Sequence, residues 1–147
     1  MKRLIVMAMM MLPLVAMANA ADDERIIAPA KLPAKVTDYI NTHFPSCSIV
    51  QATKELELSG TEYKVWLSEG YKLEFKGNRV KDIEGNTKLP DTVIPAKILQ
   101  HVTSNYANLY IVEWQLEDDG GIRQEVKLNN GLELVYSAAG DFLRIDN

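Results

Sequence analysis

The chain has 147 residues, with 16 Lys and Arg against 20 Asp and Glu, for a net charge of −4. An acidic chain without basic runs excludes the usual make-up of a nucleic-acid or anionic-lipid binder. Its single cysteine, Cys47, excludes an intramolecular disulfide, so stability must come from packing.

The first twenty residues read as a secretory signal peptide. Lys2 and Arg3 give a positive start, Leu4 to Ala16 is an uncharged apolar run, and Ala18-Asn19-Ala20 offers the small residues a signal peptidase needs. The run is shorter than the ~20 apolar residues that cross a bilayer, and no cysteine follows it for lipid attachment. Cleavage after Ala20 is expected to release a soluble periplasmic or secreted chain without a membrane span. Because Lys2 and Arg3 leave with the leader, the net charge falls from −4 to −6. Residues 21–30 are charged and then rich in alanine and proline, and are expected to be loosely ordered.

Residues 31–85 and 86–147 read as two copies of one unit. Leu32-Pro33-Ala34-Lys35-Val36 recurs as Ile94-Pro95-Ala96-Lys97-Ile98. At the same spacing Ile40 matches Val102, Phe44 matches Tyr106, and Ile49-Val50 matches Ile111-Val112. After the loss of one residue, Val65, Leu67, Gly70, Leu73 and Phe75 match Val126, Leu128, Gly131, Leu134 and Tyr136. The last strand returns to the first spacing, with Val80 and Ile83 matching Phe142 and Ile145.

Each copy is predicted to open with a helix, since proline suits a helix start and apolar residues then recur every fourth place. Leu32, Val36, Ile40 and Phe44 share one face of the first helix, as Ile94, Ile98, Val102 and Tyr106 do on the second. The period then changes to two, the mark of strands with one buried face. Val50, Ala52 and Leu56 keep one parity in the first strand, as Tyr110, Val112, Trp114 and Leu116 do in its counterpart, so Trp114 is assigned to the core. Ser59-Gly60, Glu69-Gly70, Asp118-Asp119-Gly120-Gly121 and Asn130-Gly131 punctuate the hairpins. The expected fold class is α+β: two tandem repeats, each one helix followed by a four-stranded antiparallel sheet, packed as one body.

This pattern resembles the PepSY-like group of small periplasmic proteins, whose fold is similar to that of the beta-lactamase inhibitor protein. The likeness rests on the Leu32-Pro33 and Ile94-Pro95 helix starts, the apolar stripes, the strands ending at Gly70 and Gly131, and the leader. It implies two helix-plus-four-strand repeats, and binding rather than catalysis. The inhibitor is stapled by disulfides and this chain has one cysteine, so no inhibitory residue carries over.

The residues themselves assign no catalytic group, cofactor or metal. His43 and His101 fall at non-equivalent places and lack paired-ligand spacing. Glu117-Asp118-Asp119 is too short for a calcium loop and reads as a hairpin tip. Cys47 follows His43 by four residues, but Pro45 intervenes, and a small, partly buried side chain is expected there. Function is placed instead on the outward side of the sheet: Lys64, Trp66, Lys72 and Glu74 in the first copy; Glu113, Gln115, Glu125, Lys127 and Glu133 in the second. Trp66 stands between inward Val65 and Leu67 and matches the polar Lys127. A tryptophan among charges is the usual make-up of an interface anchor; the alternative is a ring covered by the Lys64 and Lys72 stems or by the neighbouring repeat. The expected role is an exported module binding a protein or peptide partner through this face, inhibitor-like or regulatory. The other reading is a small-molecule or envelope-ligand carrier with a cavity between helix and sheet.

Overall fold

Two ten-residue helices, α1 (Ala34–His43) and α2 (Ala96–Asn105), begin where a proline fixes the entering backbone. Pro33 and Pro95 sit just ahead of the first helical residues at φ −55° and −53°, close to the value their rings impose. Phe44 and Tyr106 leave helical geometry, yet their amides still donate to the carbonyls of Ile40 and Val102 at 2.7 and 2.8 Å. Each helix buries the stripe its period predicts, Val36 and Ile40 in α1, Ile98 and Val102 in α2. In this computed structural model residues 23–146 are described; the expected leader, residues 1–20, lies outside them.

The strands are β1 (Arg25–Ile27), β2 (Ile49–Glu57), β3 (Gly60–Leu67), β4 (Lys72–Lys76), β5 (Arg79–Glu84), β6 (Ile111–Glu117), β7 (Arg123–Leu128), β8 (Glu133–Ser137) and β9 (Phe142–Asp146). They form one nine-stranded sheet in sequence order, every neighbouring pair antiparallel. Two separate four-stranded sheets were the expectation. Instead β5 pairs with β6 through Asp82–Gln115, Ile83–Trp114 and Glu84–Glu113, which makes the sheet continuous. The connection after β5 extends this seam, since Gly85 and Leu89 donate to the carbonyls of Val112 and Ile111, both at 2.9 Å. A second correction concerns the amino-terminal segment. Part of residues 21–30 is not loose: Arg25–Ile27 pairs with Lys54–Ala52 as an edge strand, because β2 would otherwise leave a row of backbone donors and acceptors unpaired.

One inner row crosses the sheet, with Ala52, Val65, Leu73, Ile83, Trp114, Val126 and Leu134 in successive register. All seven are buried in the cluster that also holds Leu32, Val36, Ile40, Ile98 and Val102. The helices therefore cover this face, and the opposite face is uncovered. Simple alternation fails at the start of two strands. Register shifts fall between Ile49 and Gln51 and between Ile111 and Glu113. A bulge adds one residue and moves the inward parity, so Ile111 is buried while Val50 and Tyr110 are 70% and 38% exposed. Leu56 keeps the inner parity, but it lies near the tip of the β2–β3 hairpin and is 66% exposed.

Candidate functional site

The uncovered face is built by the side chains between those of the core row. Register sets two parallel rows on it. One runs Gln51, Trp66, Lys72, Glu84, Glu113, Lys127, Glu133 and Asp146; the other runs Thr53, Lys64, Glu74, Asp82, Gln115, Glu125, Val135 and Arg144. All nine residues picked out from the sequence stand in these rows, so the fold brings Lys64, Trp66, Lys72 and Glu74 onto one surface with Glu113, Gln115, Glu125, Lys127 and Glu133.

Their environments differ. Trp66 is half-buried, with the Lys72 ammonium 5.6 Å from its ring centroid, a cation–π placement. Lys72 also meets the Glu74 carboxylate at 3.3 Å, and Lys64 meets Glu24 at 3.4 Å. Thr53 donates to the same Glu24 oxygen at 2.8 Å, and this bond, with the Lys64 charge, holds the Glu24 carboxyl below its ordinary range against the cost of burial. Gln115 is buried and donates to Glu117 at 3.3 Å. Glu125 is pushed up to about 7, first by burial, then by its hydrogen bond and like charge with Glu133.

The most perturbed group on the face was missed from sequence. Asp82 is only 6% exposed, and its Oδ1 has no hydrogen-bond partner. Burial, then the charges of Glu84, Glu113 and Glu74, push its carboxyl up to about 8, with Lys72 acting against them. One oxygen each from Asp82, Glu84 and Glu113 lies within 4.8 Å of the others. The signal was present in the sequence: Asp82 and Glu84 flank inward Ile83 and so must face outward together. No spacing rule for metal ligands would have found them, because Glu113 comes from another strand.

Two cavities open on this face. One, about 260 Å³, lies between Glu74, Asp82, Gln115, Glu125, Val135 and Arg144, with Arg79 and Arg123 at its border. The other, about 210 Å³, is bounded by Gly70, Lys72, Glu84, Asn86, Glu113 and Lys127. Neither is lined by the buried core cluster between helix and sheet, where the carrier reading would place its cavity.

The other candidates for chemistry are used structurally. His43 Nδ1 is 2.8 Å from Thr92 Oγ1, and His101 Nδ1 is 2.8 Å from the Tyr136 hydroxyl while its ring stacks on Phe142. Cys47 is partly buried and donates to Glu69 Oε2 at 3.3 Å. Burial and then the Glu69 carboxylate push the thiol up, the reverse of an activated nucleophile. Glu69→Gln is accordingly expected to speed alkylation of Cys47 by iodoacetamide at pH 8, as followed by mass spectrometry. An unchanged rate would mean that the carboxylate does not hold the proton on sulfur.

These features define an α+β module with one antiparallel sheet, two helices on one face and a charged open surface on the other. A family described as "Putative beta-lactamase-inhibitor-like, PepSY-like" matches residues 22–80 and 61–144. The chain belongs to this PepSY-like family. Among solved structures it is similar to a "putative calcium-regulated periplasmic protein" from Bacteroides thetaiotaomicron, at 26% identity and TM-score 0.77, over 84% of this chain and 97% of that one. It is also similar to a "putative periplasmic protein from DUF2874 family" of Bacteroides vulgatus, at 29% identity and TM-score 0.78, over 86% and 99%. A further periplasmic protein of unknown function from Bacteroides vulgatus matches at 27% identity and TM-score 0.77, over 85% and 100%. No curated protein matches the sequence. Among the described residues no helix is long and apolar enough to cross a membrane.

Proposed function

We propose that this chain is an exported periplasmic binding module whose uncovered sheet face meets a protein or peptide partner in an inhibitor-like or regulatory role. The observation that carries this reading is the extent of that face. Two rows of mostly charged and polar side chains, interrupted by buried Val135, cross both halves of the sheet, with the Trp66 ring set among them. A half-buried tryptophan ringed by charge loses water readily when a partner covers it, and such anchors dominate binding energy. Periplasmic residence is supported by the leader pattern in residues 1–20 and by the periplasmic descriptions of the similar structures. The reading of residues 31–85 and 86–147 as a tandem duplication is supported by where the strands are irregular. Bulges at Ile49/Gln51 and Glu74/Phe75 recur at the matching places Ile111/Glu113 and Val135/Tyr136.

The test begins by cross-linking the protein in periplasm, identifying the partner by mass spectrometry, and titrating the purified pair. Trp66→Ala is expected to weaken binding by roughly thirtyfold, the effect of a 2 kcal/mol hot spot. Lys35→Ala, on the helix side, should leave affinity unchanged. Equal affinities for wild type and Trp66→Ala would move the partner off this face.

A further inference from the structure

The seam between β5 and β6 carries an arrangement that folding alone does not account for. Glu84 stands directly across from Glu113, a like-charge cross-strand pair that costs stability. Beside them Asp82 is 94% buried by exposure, with one carboxylate oxygen lacking any partner. Buried polar atoms in native proteins are nearly always paired, and an orphan calls for an ion or an ordered water as its partner. Two lysines flank the pair in register: Lys72 of β4 stands across from Glu84 and also meets Glu74 at 3.3 Å, and Lys127 of β7 stands across from Glu113.

We propose that Asp82, Glu84 and Glu113 bind a divalent cation of the calcium type, which clamps β5 to β6 across the seam. The donors are all carboxylate oxygens, which suits a hard cation and not zinc or copper. The three oxygens lie within 4.8 Å of one another, close enough to share one ion; calcium accepts such oxygens at about 2.3–2.6 Å in irregular geometry, whereas magnesium demands near-ideal octahedral geometry at about 2.0–2.1 Å. The cavity bounded by Lys72, Glu84, Asn86, Glu113 and Lys127 opens on two of the three carboxylates, so an ion and its remaining waters can enter from solvent. Two strands from different halves of the chain supply the ligands, so the ion replaces cross-strand repulsion with a bridge at the seam where the two halves of the sheet meet. The site requires no partner and does not depend on the binding reading above.

The experiment is thermal unfolding of the purified protein in EDTA and then in rising calcium chloride, beside terbium titration followed by tryptophan-sensitised emission. Expected is a saturable rise of the midpoint with a dissociation constant of about 10⁻⁴–10⁻³ M, the range of extracellular calcium modules. Glu84→Gln and Glu113→Gln are each expected to weaken calcium by about tenfold or more, since each removes a charged ligand. In EDTA Glu84→Gln should unfold no earlier than wild type, because the like charge across from Glu113 is relieved. Asp82→Asn, which keeps side-chain volume, gives an independent loss of the calcium response. Three results would overturn the proposal: no saturable shift up to about 10 mM calcium, the same shift in wild type and all three variants, or a magnesium curve coinciding with the calcium curve.

Discussion

Replacing Trp114 with alanine is expected to lower the unfolding free energy by about 3–5 kcal/mol, the usual loss for truncating a buried tryptophan. Trp114 lies between Ile83 and Val126 in the inner row and is 7% exposed. Its indole N–H donates to Gln124 Oε1 at 3.0 Å, and Gln124 Nε2 in turn donates to the carbonyls of Ser137 and Ala138 at 3.4 and 3.2 Å. Truncation therefore opens a cavity at the centre of the sheet and leaves a buried amide oxygen without its donor. Trp114→Phe separates the two effects. It keeps most of the apolar volume and loses the bond, so a cost of about 1–3 kcal/mol is expected, the penalty for one unsatisfied buried acceptor. Urea unfolding followed by far-UV circular dichroism measures both. Because Trp114 sits at the β5–β6 junction, equal and small losses for both variants would show that the two halves are not held together through this row.

Trp114 also shows what was legible before any coordinates. Its core assignment followed from sharing a parity with Leu116, and the structure places both against the core. The same reasoning gave Tyr110, Val112 and Val50 an inward direction, which the bulges cancel. Alternation registers the number of residues, whereas a bulge changes the number opposite a partner strand, and no residue type at Ile49–Gln51 or Ile111–Glu113 announces it. Helices were read more securely, since Pro33 and Pro95 constrain the backbone locally and the four-residue stripe needs no partner to define it. The joining of the two sheets was not legible. It depends on the short edge of β5 finding β6, a contact between residues thirty or so positions apart, with no turn signal to fix its register.

The open face illustrates the same division. Outward parity within a strand was enough to place Lys64, Trp66, Lys72 and Glu74 together, as well as Glu113, Gln115, Glu125, Lys127 and Glu133. What parity could not give was adjacency between strands. Glu84 facing Glu113, and Asp82 lying beside both with a buried orphan oxygen, arise only when β5 and β6 are neighbours. A functional feature assembled from two halves of a chain is invisible to motif spacing, which reads one segment at a time.

Asp82 makes stability depend on pH in an unusual direction. Its carboxyl is raised from 3.8 to about 8 in the folded protein, by burial first and then by Glu84, Glu113 and Glu74, with Lys72 opposing and the uncharged Gln115 completing its surroundings. Between those values the native state holds a proton that the unfolded chain has released. The folded form then binds more protons, and the unfolding free energy falls as pH rises. Stability from this group is fully present below about pH 4 and is lost on the way to pH 8. Glu125, raised from 4.5 to about 7, adds a loss of the same sign over its own window. Glu24, held low, acts oppositely and weakens the fold only on acidification below its ordinary range. In EDTA, urea unfolding is therefore expected to show a stability maximum near pH 4–5 and a decline toward pH 8. Asp82→Asn should remove most of the decline, since an amide is neutral at every pH and its N–H groups can face the Glu74, Glu84 and Glu113 carboxylates. The variant is expected to exceed wild type by on the order of 3 kcal/mol at pH 8 and to match it near pH 4, the gap following the proton difference between folded and unfolded states. A constant gap across this range would show that the effect of the substitution is one of packing and not of charge.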